Sequence, residues 1–193
     1  MIRAQGLCKS YGGKPVLEEL SFTADVGLTR LTGPSGAGKT TLLRLLLGLE
    51  APDAGTLRGN DLRWAAVFQE DRLLSGLDAE GNLRFVLGRA YDARRAAALL
   101  DELGLGTVGK KRVRDYSGGM KRRLALARAL LAPCDALALD EPFTGLDEAN
   151  RAAALRCILR AAEEKYVFLA AHEALSLPEI CRSVSVQRED GII

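Results

Sequence analysis

Short apolar runs alternate along the chain with segments in which apolar residues recur at helical spacing. The apolar runs, which predict buried strands, cover residues 2–7, 16–22, 28–31, 64–68, 137–139 and 166–171. The helical patterns cover residues 42–47, 83–87, 93–103, 120–131 and 147–163. Strands and helices that alternate in this way predict an α/β domain with a mostly parallel sheet, which binds its ligands at the carboxyl ends of the strands.

The middle of the chain departs from this alternation, because only helical patterns occur there. A chain of 193 residues is long enough to bury a core but is cramped for two independent domains. We therefore expect a single domain over residues 1–193. Its core should comprise residues 1–69 and 132–193, and an inserted helical lobe should occupy about residues 70–131.

A glycine-rich run, Gly33-Pro34-Ser35-Gly36-Ala37-Gly38-Lys39-Thr40-Thr41, follows the third predicted strand and precedes a helix. Its spacing is that of a phosphate loop. The glycines let successive backbone N–H groups converge on phosphate oxygens, and the following helix points its positive end at them. Lys39 adds a charge at the β- and γ-phosphates, and Thr40 offers a hydroxyl to a magnesium ion. The run predicts a nucleoside triphosphate with Mg²⁺ as ligand; a turn that only caps a helix is the alternative.

Two adjacent carboxylates follow another apolar strand. Asp140 comes directly after residues 137–139, and Pro142 ends the strand. A carboxylate at this place can hold Mg²⁺ opposite Thr40, and Glu141 is free to face the γ-phosphate. Alone, the pair could equally be ordinary loop charge. Beside a phosphate loop, the two motifs complete one site.

Composition and charge narrow the choice of function. The chain is 48% hydrophobic and 27% charged, as globular proteins are, and its net charge of +2 argues against a nucleic-acid partner. No apolar run reaches the ~18 residues that span a bilayer, and the first residues lack the apolar core of a signal peptide, so a cytoplasmic protein is expected. The 4 cysteines form no C-x-x-C pair, which favours reduced thiols over zinc ligands or disulfides.

The motifs occur in an order that resembles the nucleotide-binding subunit of an ABC transporter. They are the phosphate loop, Ser117-Gly118-Gly119, residues 137–141, Gly145-Leu146-Asp147 and the single histidine, His172. The resemblance covers nearly the whole chain, and the ordered set is more specific than any of its members. It implies a P-loop NTPase fold with a mostly parallel sheet core, a small antiparallel β lobe and an inserted α-helical lobe. The run of residues 39–69 is short for the family, which indicates a trimmed antiparallel lobe.

The resemblance also implies roles for single residues. Tyr11 matches the aromatic residue that stacks on adenine, although simple packing is the alternative for a turn tyrosine. Gln69 matches the glutamine that reaches Mg²⁺ and the attacking water; otherwise it is a polar loop residue. Glu141 resembles the general base, and His172 resembles the residue that contacts the γ-phosphate. Lys39 belongs to the same catalytic set.

The Ser117-Gly118-Gly119 turn resembles the signature loop, which in this family contacts ATP bound to the other subunit of a head-to-tail dimer. A hydroxyl and glycine N–H groups at a helix start also favour anion binding. The resemblance also implies that Asp147 is a nucleotide-binding residue, and we expect its side chain to cap a helix. Lys121, Arg122 and Arg123 in the first turn of the helix oppose its dipole, and we expect them to raise the positive potential where phosphate docks.

The implied protein is an ATPase subunit that binds ATP and Mg²⁺ in a dimer of two copies and drives a transmembrane permease. Met120 and residues 68–74 resemble importer subunits of the sulfonate, taurine and nitrate type. Import is therefore expected, with an extracytoplasmic solute-binding protein as a further partner. The subunit would lie on the inner face of the cell membrane.

Three other functions stay open on the sequence alone. The chain could be a soluble ABC-type ATPase in DNA repair, translation or iron-sulfur assembly, but 193 residues leave no room for long coiled coils or a second cassette. A phosphate-loop kinase of small molecules would have no use for Ser117-Gly118-Gly119. A subunit that only binds nucleotide would not need both Glu141 and His172.

Overall fold

The computed structural model describes residues 1–59, 61–171 and 181–186. Its strands are β1 (Ile2–Tyr11), β2 (Lys14–Ala24), β3 (Gly27–Thr32), β4 (Ala54–Arg58), β5 (Trp64–Val67), β6 (Ala136–Asp140), β7 (Tyr166–Ala170) and β8 (Arg182–Ser185). Its helices are α1 (Lys39–Leu46), α2 (Ala79–Leu87), α3 (Ala93–Glu102), α4 (Gly118–Leu131) and α5 (Glu148–Ala162).

The larger sheet is parallel and has the strand order β5-β6-β7-β3-β8 in the described part of the chain. All of β6 is buried, and so is β7 after its first residue, as expected for a parallel sheet covered on both faces. Asp140 pairs in register with Ala170, so the carboxyl ends of β6 and β7 lie side by side. The predicted α/β fold with a mostly parallel sheet is confirmed.

A small antiparallel sheet, with the order β2-β1-β4, forms a separate layer. The sequence pattern predicts a turn over residues 52–55, but Ala54 and Gly55 already belong to β4. This strand lies at the sheet edge and is mostly exposed, so it lacks the alternation of apolar and polar residues that would reveal it. A Cβ atom on Gly55 would lie 2.2 Å from the carbonyl oxygen of Gly6, so glycine is required for the pairing.

The parallel sheet separates two apolar clusters because side chains alternate across a strand. Leu137 and Leu139 pack on one face, against α4 and α5. Ala138 and Phe168 pack on the other face, against the leucines of α1 and the inner residues of β1 and β2. Helix α1 is thereby held rigidly beneath the phosphate loop.

The helices α2, α3 and α4 share a third apolar cluster, to which each contributes residues such as Leu83, Ala96 and Leu124. Helix α2 begins four residues before the predicted start at residue 83, since the side chain of Asp78 caps it by accepting a hydrogen bond from the Gly81 N–H at 2.8 Å. Helix α4 also packs on the parallel sheet. The boundaries of the helical lobe at about residues 70 and 131 stay a prediction. Within the described residues, every helix falls short of the length and apolar character that crossing a bilayer requires.

Candidate nucleotide-binding site

The phosphate loop (residues 33–41) joins the carboxyl end of β3 to the start of α1. Gly33, Gly36 and Gly38 have φ angles of 139°, 79° and 95°, in the left-handed region that favours glycine. A Cβ atom on Gly38 would lie 2.8 Å from Cδ2 of Leu17 and 3.2 Å from the carbonyl oxygen of Val16, so a side chain here would force β2 or the Leu17 side chain to shift. No side chain caps the first turn of α1. Its N–H groups therefore face the loop, as anion binding at a helix start requires.

Lys39 is 6% exposed and lies beneath the loop. Its ammonium group donates hydrogen bonds to the carbonyl oxygens of Gly33, at 2.7 Å, and Pro34, at 2.8 Å. These contacts hold a positive charge at the centre of the loop. A phosphate group that entered the loop would compete with the two carbonyl groups for the same ammonium.

Thr40 and Asp140 meet across the sheet edge, although 100 residues separate them in the sequence. The Thr40 hydroxyl donates a hydrogen bond to Oδ2 of Asp140 at 2.7 Å, and Asp140 is only 2% exposed. The contact arises because α1 and β6 pack together, which places the hydroxyl beside the last residue of the strand. The two residues that the sequence assigns to Mg²⁺ are thus adjacent.

A cavity of about 180 Å³ opens at these residues. It is lined by Val16, Ser35, Gly36, Gly38, Lys39, Thr40, Thr41, Gln69, Asp140 and Glu141. Two larger cavities, of about 330 and 450 Å³, lie between α3 and α5 and beside β3. Neither is lined by any residue of the motifs. Of these three cavities, only the smallest is lined by residues of the motifs.

The oxygen atoms in this cavity suit Mg²⁺, which prefers hard oxygen ligands and keeps several waters. Thr40 supplies a hydroxyl, Asp140 a carboxylate and Gln69 an amide oxygen. Among the described residues, no group of three or more His, Cys, Asp and Glu side chains could hold a metal ion. An ion bound at the cavity would therefore need phosphate and water oxygens to complete its shell.

Glu141 follows β6 directly and has a φ angle of 52°, which is rare for a residue other than glycine. Its N–H donates a hydrogen bond to the carbonyl oxygen of Ala170, at 2.8 Å, which fixes the backbone beside the end of β7. Strained backbone of this kind is concentrated at functional sites. His172, predicted to contact the γ-phosphate, lies outside the described residues.

The Ser117-Gly118-Gly119 turn lies at the start of α4, and none of its residues lines the phosphate cavity. The Ser117 hydroxyl caps the helix by accepting a hydrogen bond from the Met120 N–H at 3.2 Å. A Cβ atom on Gly119 would lie 2.7 Å from the carbonyl oxygen of Gly145, so this turn packs closely on the loop of Gly145-Leu146-Asp147. The two motifs therefore form one surface.

Asp147 caps α5 by accepting a hydrogen bond from the Asn150 N–H at 2.8 Å, as predicted. Hydrogen bonds from the backbone and side chain of Asn150 lower the pKa of Asp147.

Tyr11 is 43% exposed at the end of β1, and its hydroxyl donates a hydrogen bond to the Glu50 carboxylate. Lys9 Nζ lies 5.6 Å from the centre of the Tyr11 ring. Tyr11 does not line the phosphate cavity either, so its stacking on adenine stays a prediction.

The family described as "ABC transporter" matches residues 17–144, which include the phosphate loop, Gln69, the serine-glycine turn and the acidic pair. The chain belongs to this family. An aliphatic sulfonates import ATP-binding protein of Pseudomonas savastanoi pv. phaseolicola is 36% identical over 162 residues, which cover 83% of this chain and 68% of the relative. A Nod factor export ATP-binding protein of Paraburkholderia xenovorans is 40% identical over 202 residues, which cover 94% of this chain and 66% of the relative.

A solved ABC transporter ATP-binding protein from Pyrococcus furiosus matches the fold with a TM-score of 0.83. The match covers 95% of this chain and 96% of that one at 24% identity, and it confirms the ABC ATPase fold. Membership in the family establishes an ATP-binding, ATP-hydrolysing subunit of a transporter. ABC ATPases act as dimers with membrane permease partners.

The sequence pattern of this ABC subunit does not reveal the surroundings of two arginine residues in α4. From the sequence we expect Arg122 to raise the positive potential where phosphate docks. In the structure Arg122 is only 6% exposed, and its guanidinium group donates to the backbone carbonyl oxygens of residues 68 and 69. Arg123 likewise donates to the carbonyl oxygen of Leu103 at 2.7 Å. Helical spacing gives no sign of these contacts, because both partners are irregular backbone distant in the sequence.

Proposed function

We propose that this chain hydrolyses ATP at two composite sites in a head-to-tail dimer of two copies. The observation that carries the proposal is the Thr40–Asp140 hydrogen bond of 2.7 Å in a cavity shared with Lys39, Gln69 and Glu141. Hydrolysis of a triphosphate needs ligands for a metal ion, and a hydroxyl, an amide and a carboxylate are available here. It also needs an ammonium group to bind phosphate and a second carboxylate to accept a proton.

Thr40, Asp140 and Gln69 would hold Mg²⁺, which supplies charge neutralisation at the β- and γ-phosphates when it is bound. Lys39 would exchange its two carbonyl contacts for phosphate oxygens. Glu141 would accept the proton of the attacking water. For His172 we propose contact with the γ-phosphate, as the family resemblance implies.

The Ser117-Gly118-Gly119 turn and Asp147 would act on the nucleotide of the second copy. The support is their position: they form a surface of their own, and none of them lines the phosphate cavity of the same chain. The glycine backbone at the start of α4, where the positive end of the helix dipole lies, suits the γ-phosphate held by the partner. Closure of the dimer would complete each site, and hydrolysis would reopen it.

We further propose that the transporter is an importer and that the subunit works on the inner face of the cell membrane, with an extracytoplasmic solute-binding protein as an additional partner. The relative from Pseudomonas savastanoi is named for import of aliphatic sulfonates. Met120 and residues 68–74 support the same branch. In proteoliposomes that contain the permease, uptake should require the solute-binding protein, whereas ATP-driven export without it would contradict import.

The proposed site is tested by Glu141→Gln. We expect the ATPase rate to fall by about 10² or more because the water loses its base, while ATP remains bound and holds a stable dimer in solution scattering. The matched control is Glu163→Gln, which changes an exposed glutamate at the end of α5 and should leave the rate unchanged. A Glu141→Gln protein that hydrolyses ATP at the normal rate, or that stays monomeric in saturating MgATP, would contradict the proposal.

A further inference from the structure

The backbone around Gln69 has no regular secondary structure, yet most of its carbonyl groups accept hydrogen bonds from side chains. We define the glutamine segment as residues 68–72, which follow β5. Two arginine side chains of α4 donate to four of its five carbonyl oxygens. Carbonyl groups outside helices and sheets are satisfied by side chains or by water, and here arginine side chains take that place. These contacts join the segment to α4.

Arg122 makes the contacts nearest to the cavity. Its Nη1 and Nη2 each lie 2.5 Å from a carbonyl oxygen, of Phe68 and of Gln69 itself. Nη1 also forms an ion pair with Oδ1 of Asp71 at 3.3 Å, but no hydrogen bond joins this oxygen to the guanidinium group. Burial raises the pKa of Asp71, although the charge of Arg122 acts in the opposite direction. The carbonyl groups are therefore the stronger partners of this guanidinium.

Arg128 holds the far end of the glutamine segment, where it donates to the carbonyl oxygens of Arg72, at 2.7 Å, and Asp71, at 2.9 Å. Beyond the segment, Asn82 is 1% exposed, and its side chain accepts from the Leu74 N–H at 2.8 Å. Both contacts leave the peptide group of Gln69 untouched. Arg122 is the residue through which α4 holds Gln69 directly.

Arg122 also lies five residues after Ser117, about 7.5 Å further along the helix axis. If the serine-glycine turn binds ATP of the other copy, as proposed above, a shift of the turn would move α4. The guanidinium group that holds the backbone of Gln69 would move with it.

We propose that Arg122 is a positioning residue for ATP hydrolysis, which sets Gln69 in the cavity and ties its position to the serine-glycine turn at the start of α4. The proposal rests on the function proposed above for Gln69. A planar guanidinium is suited to the task because its fork reaches two adjacent carbonyl oxygens at once, whereas a lysine ammonium is a point charge.

The test compares full-length Arg122→Met and Arg122→Lys with Arg160→Met as the control. Arg160 lies on α5, and its guanidinium group binds the Glu102 carboxylate, away from the glutamine segment and from the nucleotide-binding motifs. We expect Arg122→Met to lower kcat by about 10- to 100-fold with less than about 3-fold change in KM for ATP, since misplacement rather than lost binding is the cause. Arg122→Lys should recover part of the loss, and Arg160→Met should cost less than about 3-fold.

Two further measurements separate positioning from a general loss of structure. Hydrogen exchange of the peptide that contains residues 68–74 should become faster in Arg122→Met and stay unchanged in Arg160→Met. Gln69→Ala should lower kcat in the normal protein but have little further effect in Arg122→Met, because residues that act as a unit are not additive. Unchanged exchange, or additive losses, would overturn the role of Arg122. If Gln69→Ala alone leaves kcat unchanged, the function proposed for Gln69 fails, and the positioning role fails with it.

Discussion

Gly38 combines two requirements at a single residue. Its φ angle of 95° is in the left-handed region, and a Cβ atom there would meet Leu17 at 2.8 Å and the carbonyl oxygen of Val16 at 3.2 Å. The first requirement comes from the turn of the loop, and the second comes from β2, which lies against it. Lys39 and Thr40 follow directly, so the backbone at Gly38 sets the direction of both functional side chains.

Gly38→Ala should therefore damage both the fold and the site. We expect the free energy of unfolding to fall by about 1–3 kcal/mol, the range for strained backbone, and the affinity for ATP to fall with it. Chemical denaturation and nucleotide titration measure the two effects. Gly76→Ala is the control, because Gly76 has no left-handed φ angle and open space around its Cα atom. Equal stability of the two variants would contradict the steric argument.

At the scale of elements, an ion pair joins the segments that lead into the neighbouring strands β5 and β6, in addition to the hydrogen bonds between the strands. Arg63 precedes β5 and Asp135 precedes β6. The Arg63 guanidinium donates to Oδ1 of Asp135 at 2.7 Å and to Oδ2 at 2.9 Å, and the Arg63 N–H donates to Oδ2 at 3.1 Å. These contacts lower the pKa of Asp135 from 3.8 to about 2. The ionised carboxylate therefore favours the folded state.

The sign of this effect gives a pH window for stability. A carboxyl group with a lowered pKa stabilises the fold above its unfolded pKa of 3.8, and it loses that contribution as the pH falls towards about 2. Asp135→Asn should lower the urea midpoint at pH 7, and the difference from the normal protein should shrink steadily below about pH 4. High salt should also reduce this difference in urea midpoint, because the Arg63–Asp135 ion pair is exposed to solvent. A difference that is the same at pH 7 and pH 3 would show that the charge is not the cause.

Elements with a buried apolar pattern could be predicted from the sequence, and elements without one could not. Strands β6 and β7 are buried almost throughout, and the phosphate loop has a spacing that few other structures use. The edge strand β8 was missed because only Val184 of its four residues is buried. The contacts of Arg122 could not be predicted for another reason. The spacing of apolar residues along a helix does not distinguish an arginine that is buried from one that is exposed to solvent.

On the scale of the whole molecule, the phosphate cavity and the surface of residues 117–119 and 145–147 belong to different parts of one chain. Helix α4 connects them, since it begins at the serine-glycine turn and packs on both the helical cluster and the parallel sheet. If the serine-glycine turn acts on the nucleotide of a second copy, as proposed above, each site is complete only in a dimer. ABC ATPases act as dimers with membrane permease partners. The described helices supply no membrane span of their own.

Purification from membranes with untagged partners tests this assembly. We expect a multi-spanning permease to remain bound to the tagged full-length chain in mild detergent and to be identified by mass spectrometry. The soluble fraction of the same cells, purified in parallel, is the control. Recovery of a soluble complex alone, as an ATPase of DNA repair, translation or iron-sulfur assembly would give, would contradict the permease partner.

The close approach of Gly119 to Gly145 also limits how this protein can be re-engineered. A side chain at residue 119 would collide with backbone rather than with a flexible group, because the nearest atom is the carbonyl oxygen of Gly145 at 2.7 Å. Substitution of residue 119 alone would therefore displace the loop of residues 145–147. A mutant library that varies residue 119 should vary this second loop with it.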